Sequence, residues 1–229
     1  LTTGLVVSAL ILPGAGYAQP GATTDATPPA ATRLSETGRD PAEFPAWVDT
    51  LKVKARDSGI SEPTLTSAFA GIHFVDRVVK SDRGQLEQKV LLDDYLKRVV
   101  TPDKVQEARR QAHLHRHALA RIGLQYGVQP HYIVALWAME SRFGKIQGKE
   151  DIFSALATMA FEGRRETFFT NELLAALKMV DRGDIDASSM KGSWAGAMGQ
   201  NQFMPSSYLR YGVDGDGDGK IDIDRKSVV

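Results

Sequence analysis

The stretch that most limits what this chain can fold into is Pro130–Gly144, PHYIVALWAMESRFG. Pro130 can start a helix, because the first turn needs no backbone donor from it. From Tyr132 to Met139 no charged residue interrupts the run. A helix with almost no wet face must be buried, so a core helix ended by Gly144 is expected. Glu140 sits in its last turn, beside Trp137 and Met139. Poor solvation and the negative end of the helix dipole both disfavour a charged carboxylate there. A Glu that keeps its proton near neutral pH is what general acid catalysis requires. The alternative is a helix-end Glu whose head reaches water or pairs with Arg142.

Charge and cysteine content narrow the function classes. The 28 basic residues balance 28 acidic ones, which points away from nucleic acid or an anionic membrane as the main partner. The chain has no cysteine. That excludes disulfides, thiol nucleophiles, thiolate metal sites and a lipid-modified N-terminal Cys.

The N-terminal part reads as processing and linker sequence. Leu5–Leu12 is apolar and Gly16-Tyr17-Ala18 offers small residues at signal-peptidase spacing, so residues 1–18 are expected to be a signal peptide remnant. The run is too short to span a bilayer, and cleavage after Ala18 would release a soluble, exported, periplasmic protein with no transmembrane segment. Residues 19–40, rich in Ala, Thr and Pro, are expected to be a disordered linker.

Folded sequence is expected from about Pro41 onward. Phe44 starts a helix carrying Val48, Leu51 and Ala55, and Ser61-Glu62-Pro63 caps a second that leads to Leu65 and Phe69. Gly71–Gly84 reads as a connecting stretch, extended around Phe74–Val79. Leu86–Val100 is read as a helix. A Thr101 cap then opens one of about six turns, with the stripe Val105, Ala108, Ala112, His115, Leu119, Ile122 and Tyr126, stopped by Gly127. On it, His113, His115 and His117 read as a solvated pair plus one core histidine, in preference to a metal site.

Two further helices, Asp151–Phe161 and Arg164–Val180, are expected to join at Gly163. Arg164, Arg165, Phe168 and Phe169 cluster at the start of the second. They suit the lining of a sugar cleft, with rings stacking on pyranose faces, or equally plain core beneath solvated arginines. Glu166 and Glu172 read as ordinary surface charges. Gly192–Ser207, GSWAGAMGQNQFMPSS, is poor helix and good cleft wall. Its glycines allow close backbone approach, Gln200 and Gln202 suit neutral polar groups, and Met198 and Phe203 supply an apolar floor. Asp214, Asp216, Asp218 and Asp222 hold positions 1, 3, 5 and 9 of a calcium loop. Gly219 stands at the sharp turn and the Lys220 carbonyl at position 7. Position 12 is Arg225, where a bidentate Glu is usual, and an Asp-Gly turn without metal is the alternative.

Three blocks taken together resemble a known family: Tyr126-Gly-Val through Trp137-Ala-Met-Glu-Ser-Arg-Phe-Gly, then Gly192–Ser207, then Val213–Ile223. It is that of the periplasmic lytic transglycosylases of the membrane-bound lytic transglycosylase B type, whose catalytic domain is related to goose-type lysozyme. Asp94-Tyr-Leu-Lys-Arg-Val-Val and Gly163-Arg-Arg-Glu-Thr-Phe-Phe extend the likeness from about Phe44 to Ile223. The resemblance implies a mainly α, lysozyme-like (goose-type) helical domain over 41–229, with a calcium loop near the C-terminus.

It also implies a reaction. The family cleaves the β-1,4 bond between N-acetylmuramic acid and N-acetylglucosamine in peptidoglycan and leaves a 1,6-anhydromuramoyl end. By motif, Glu140 is the single acid/base. Ordinary glycoside hydrolysis uses two carboxylates, whereas here the sugar's own 6-hydroxyl does the displacement. Ser193, Gln202, Arg164, Arg165, Tyr95, Phe168 and Phe203 match saccharide-lining positions, with Gln200 and Met198 in the same motif. The resemblance implies a structural calcium at Asp214, Asp216, Asp218, Lys220 and Asp222, and no cofactor for catalysis. The implied partners are peptidoglycan strands, with cell-wall synthesis or remodelling proteins as candidates. Asn201 stands where the family has Pro, so a local backbone change is expected. After Ile223 the chain reads Asp-Arg-Lys-Ser-Val-Val, where the family continues with an aromatic and many more residues, so a missing C-terminal part is expected. A truncated, inert glycan-binding protein and a lysozyme-type hydrolase are the alternatives.

Overall fold

The computed structural model describes residues 38–84 and 91–223. The expected signal remnant, linker residues 19–37, residues 86–90 of the expected Leu86–Val100 helix, and Arg225 lie outside the described residues. In chain order the elements are α1 (Phe44–Asp57), α2 (Glu62–Phe69), α3 (Asp76–Arg83), α4 (Leu92–Val99) and α5 (Pro102–Leu114). They continue with α6 (Arg116–Tyr126), α7 (Pro130–Ser141), β1 (Glu150–Asp151), α8 (Ile152–Glu162), α9 (Glu166–Asp181), β2 (Lys191–Gly192) and α10 (Pro205–Tyr211). The chain is mainly α, as expected. β1 and β2 pair antiparallel, Glu150 opposite Gly192 and Asp151 opposite Lys191.

The most apolar helix becomes the axis of the core. Every residue of α8 from Ile152 to Phe161 is buried, and α9 packs on it through Phe169, Leu173, Ala176, Leu177 and Met179. Phe44, Val48, Leu51 and Ala55 of α1 and Leu65 and Phe69 of α2 close the other side. Each large side chain so buried contributes about 1.5–3 kcal/mol. A second, smaller cluster joins Leu119 of α6, Val134 and Trp137 of α7, and Phe143.

Several expectations are corrected. The stretch read as connecting and extended contains helix α3, which buries Val78 and Asp82 one turn apart. The expected six-turn helix breaks at His115 (φ −102°, ψ 17°), giving α5 and α6. His115 is half-buried with its ring edge-on to Trp137 at 5.3 Å, while His113 and His117 are exposed. Ser61 makes no capping bond to α2 and donates to Asp181. Glu172 is buried and accepts from Ser206 N and Oγ, at 2.9 and 2.6 Å. At the end of the expected linker, Arg39 is docked on Glu166 and on the Phe161 carbonyl.

Helix α7 also differs from expectation. Only Val134, Trp137 and Ser141 are buried, while Tyr132 and Leu136 are 59% and 62% exposed. Its unbroken apolar run therefore does not mean all-round burial. Its cap is Arg142 (φ 50°), with Phe143 and Gly144 also left-handed.

Candidate active site

Three left-handed residues in a row turn the chain sharply back at the end of α7. Arg142 N and Phe143 N donate to the Ala138 and Trp137 carbonyls, closing the helix. The segment 144–149 then runs into β1 against the 192–203 wall. Three contacts dock wall and segment together. Trp137 Nε1 donates to Gln200 Oε1 at 2.8 Å, and Gln202 Nε2 donates to the Gln147 carbonyl at 3.2 Å. Gly148 meets Gly192 so closely that a Cβ there would stand 2.0 Å from the Gly192 carbonyl. A Cβ on Gly144 would lie 2.6 Å from Gln200 Oε1. Glycine is required at both positions by this approach.

Glu140 is on α7, between Trp137 and the turn at Arg142. It is three residues after Trp137, which puts it about 60° round the helix from the face that meets the wall. It is half-buried, and burial pushes its carboxyl above the ordinary range. Among the described residues it has no hydrogen-bond or ion-pair partner. The alternative pairing with Arg142 is not formed, because Arg142 lines a cleft on another side of the helix.

The remaining expected site residues divide into surface, wall and support. Ser193 is in the wall, its Oγ accepting from Ala195 N and Ala197 N. Gln202 and Phe203 are half-buried beside it, and Phe203 pairs with Met198 through the backbone. Met198 and Gln200 are only 2% and 3% exposed. Met198 packs in the core, and the Gln200 amide oxygen accepts from Trp137.

The arginine pair shares one buried partner. Arg164 and Arg165 both pair with the buried Asp82, Arg165 Nη2 at 2.5 Å, so neither is simply solvated. Arg165 stacks 4.8 Å over Phe169, and Phe168 meets Phe169 edge-on with one face in solvent. Tyr95 is half-exposed on α4, a helix without a buried residue, apart from the docking contacts above. Asp82 and Trp137 are the anchors that site reading overlooked. The i, i+4 spacing of Val78 and Asp82 was the available signal for the first.

The acidic loop backs onto the wall. Carboxylate oxygens of Asp214, Asp216 and Asp218 lie within 4.8 Å of one another. Asp214 accepts from Gly219 N and Gly217 N, both at 2.7 Å, which holds its carboxyl below the usual range. Lys220 N donates to Asp218, and Asp222 is half-buried just beyond. The following residues reach the wall: Gln200 N donates to the Ile223 carbonyl at 2.8 Å, and Tyr208 Oη to that of Ile221 at 3.2 Å.

Comparison with known proteins identifies the family. The profile of the family described as Transglycosylase SLT domain matches residues 43–228. Membrane-bound lytic murein transglycosylase B of Escherichia coli (strain K12) is 44% identical over 130 residues, 56% of this chain and 36% of that protein. The structure of SltB3 from Pseudomonas aeruginosa in complex with NAG-NAM-pentapeptide is similar at 40% identity and TM-score 0.76, over 81% of this chain and 50% of that one. That of Escherichia coli lytic transglycosylase Slt35 in complex with calcium is similar at 33% identity and TM-score 0.72, over 86% and 63%. The chain thus spans 36% to 63% of the length of these relatives.

Proposed function

The chain belongs to the transglycosylase SLT domain family, and on that premise we propose that it is a peptidoglycan lytic transglycosylase with Glu140 as its only acid/base. Glu140 protonates the glycosidic oxygen between N-acetylmuramic acid and N-acetylglucosamine as the bond to the anomeric carbon breaks. The glucosamine side leaves as a neutral alcohol. The ionised Glu140 then takes the proton of the muramoyl 6-hydroxyl while that oxygen closes on the anomeric carbon, giving the 1,6-anhydro ring and restoring the acid. No water enters the products.

The observation that carries this reading is the half-buried Glu140 carboxyl, raised above its ordinary range by burial, on the helix that Trp137 and Gln200 clamp to the wall. A single carboxylate suffices because the nucleophile belongs to the substrate. The solved relative that carries a NAG-NAM-pentapeptide supports the same substrate class. The test is digestion of peptidoglycan in water enriched in oxygen-18. Soluble products free of the label are expected, and a label at the new ends would make the enzyme a hydrolase.

The Asp214 loop fits a hard cation, since three carboxylates converge and calcium is bound by oxygen ligands of this kind. Asp214, Asp216, Asp218, Asp222 and the Lys220 carbonyl would hold calcium, which would stiffen the support behind Gln200 and take no part in the chemistry. A cell-wall substrate supports a location outside the cytoplasm, and the periplasm is the compartment this reading assigns. Among the described residues no helix is long and apolar enough to cross a membrane.

A further inference from the structure

Behind the catalytic helix lies a second cleft, of about 440 Å³, lined by Arg98 of α4, Lys104 of α5, and Arg142 and Lys145 just beyond α7. Its acidic members are Asp103 and Glu107. Ala138 also lines it, and at about 100° per residue Ala138 and Glu140 stand on nearly opposite sides of α7.

The charges in this cleft do not cancel internally. Glu107 is already engaged, accepting from Arg110, Gln111 and Lys145. Lys104 Nζ donates to the Val99 carbonyl at 2.9 Å. Arg98 and Arg142 have no hydrogen-bond or ion-pair partner among the described residues. Burial and the neighbouring Arg142 both push Lys104 below the usual amine range, so two cations are held together at a cost. Three cations thus face one uncommitted carboxylate, Asp103, at the positive end of α5.

We propose that this cleft takes the carboxylates of the stem peptide carried by the muramoyl sugar whose bond Glu140 cleaves; this rests on the peptidoglycan reading above. The distances allow it. Going round α7 through about 160° at a radius of about 5–6 Å covers about 14–17 Å. A stem of five residues extends about 17 Å. The cleft is also in the size range of small-ligand sites, about 300–1,000 Å³. Guanidinium groups recognise carboxylates by paired, charge-assisted hydrogen bonds. Cations so far from the breaking bond hold the ground state and the transition state alike, so they lower KM and leave kcat.

The test is a binding titration of the chain with the acidic stem pentapeptide of peptidoglycan, its carboxylates free, against the same pentapeptide fully amidated and against inorganic phosphate. Arg142→Gly and Arg98→Ala are the variants. Arg142 sits at φ 50°, where glycine is favoured, so its replacement removes the guanidinium without straining the fold. Free peptide is expected to bind saturably and each variant to weaken it about tenfold or more. On intact sacculi the same variants raise KM, and on glycan stripped of peptide they match the parent chain. Equal affinity for the amidated peptide, binding unaffected by both variants, or phosphate binding as tightly as peptide would overturn the proposal. Cleavage of stripped glycan separates the two readings, because it tests Glu140 alone.

Discussion

Trp137 and Gln200, 63 residues apart in sequence, share one buried hydrogen bond, the indole Nε1 donating to the amide Oε1 at 2.8 Å. It ties the helix that carries Glu140 to the wall. Gln200→Leu leaves the indole N–H buried without a partner, a loss of about 1–3 kcal/mol. Urea unfolding is expected to show that loss. Turnover of peptidoglycan should fall further than the stability change explains, because the wall is no longer held in register with Glu140.

Burial raises the Glu140 carboxyl above its ordinary range, and the sign of the resulting pH dependence follows. The folded chain keeps a proton that the unfolded chain gives up. The stabilising contribution of that proton is complete below the unfolded value, about pH 4.3. It is lost as pH rises through the higher folded value. Melting midpoints of the parent and Glu140→Gln, compared from acid to neutral pH, should therefore shift in favour of the variant as pH rises. Activity should decline over the same window, because the acid form is the one that donates.

Sequence alone made much of this architecture legible, because the core helices announce themselves. The α8 run from Ile152 is buried throughout, and α1 and α2 carry their apolar residues at the spacing they display. The wall was legible too, since few structures other than close backbone packing use so many glycines and amides in so short a stretch. What stayed hidden were features decided by partners distant in sequence. Asp82 reads as a polar connector until Arg164 and Arg165 close over it. Glu172 reads as surface until Ser206 caps it. The α7 run reads as fully buried because hydropathy cannot show which neighbours cover Tyr132 and Leu136.

The Asp82 cluster should be a folding anchor. Removing one partner of a buried ion pair costs about 3 kcal/mol at the low end of the usual range, which suits arginines that keep part of their surface in water. Asp82→Ala is expected to lower the denaturation midpoint accordingly. Loss confined to α3, read as faster amide exchange there than in α8, would accompany it.

Calcium should act on stability and leave the chemistry alone. Added calcium is expected to raise the melting temperature of the chain, by an increment that grows with concentration as for any ligand of the folded state. Asp214→Ala should abolish that increment, since Asp214 both faces the other carboxylates and braces the loop through two backbone N–H groups.

The most direct test is mass analysis of soluble muropeptides released from sacculi by the parent chain and by Glu140→Gln. The account predicts products ending in 1,6-anhydromuramic acid from the parent, one water lighter than reducing ends, and none from Glu140→Gln. Equal release by the two, or products with reducing ends, would contradict it.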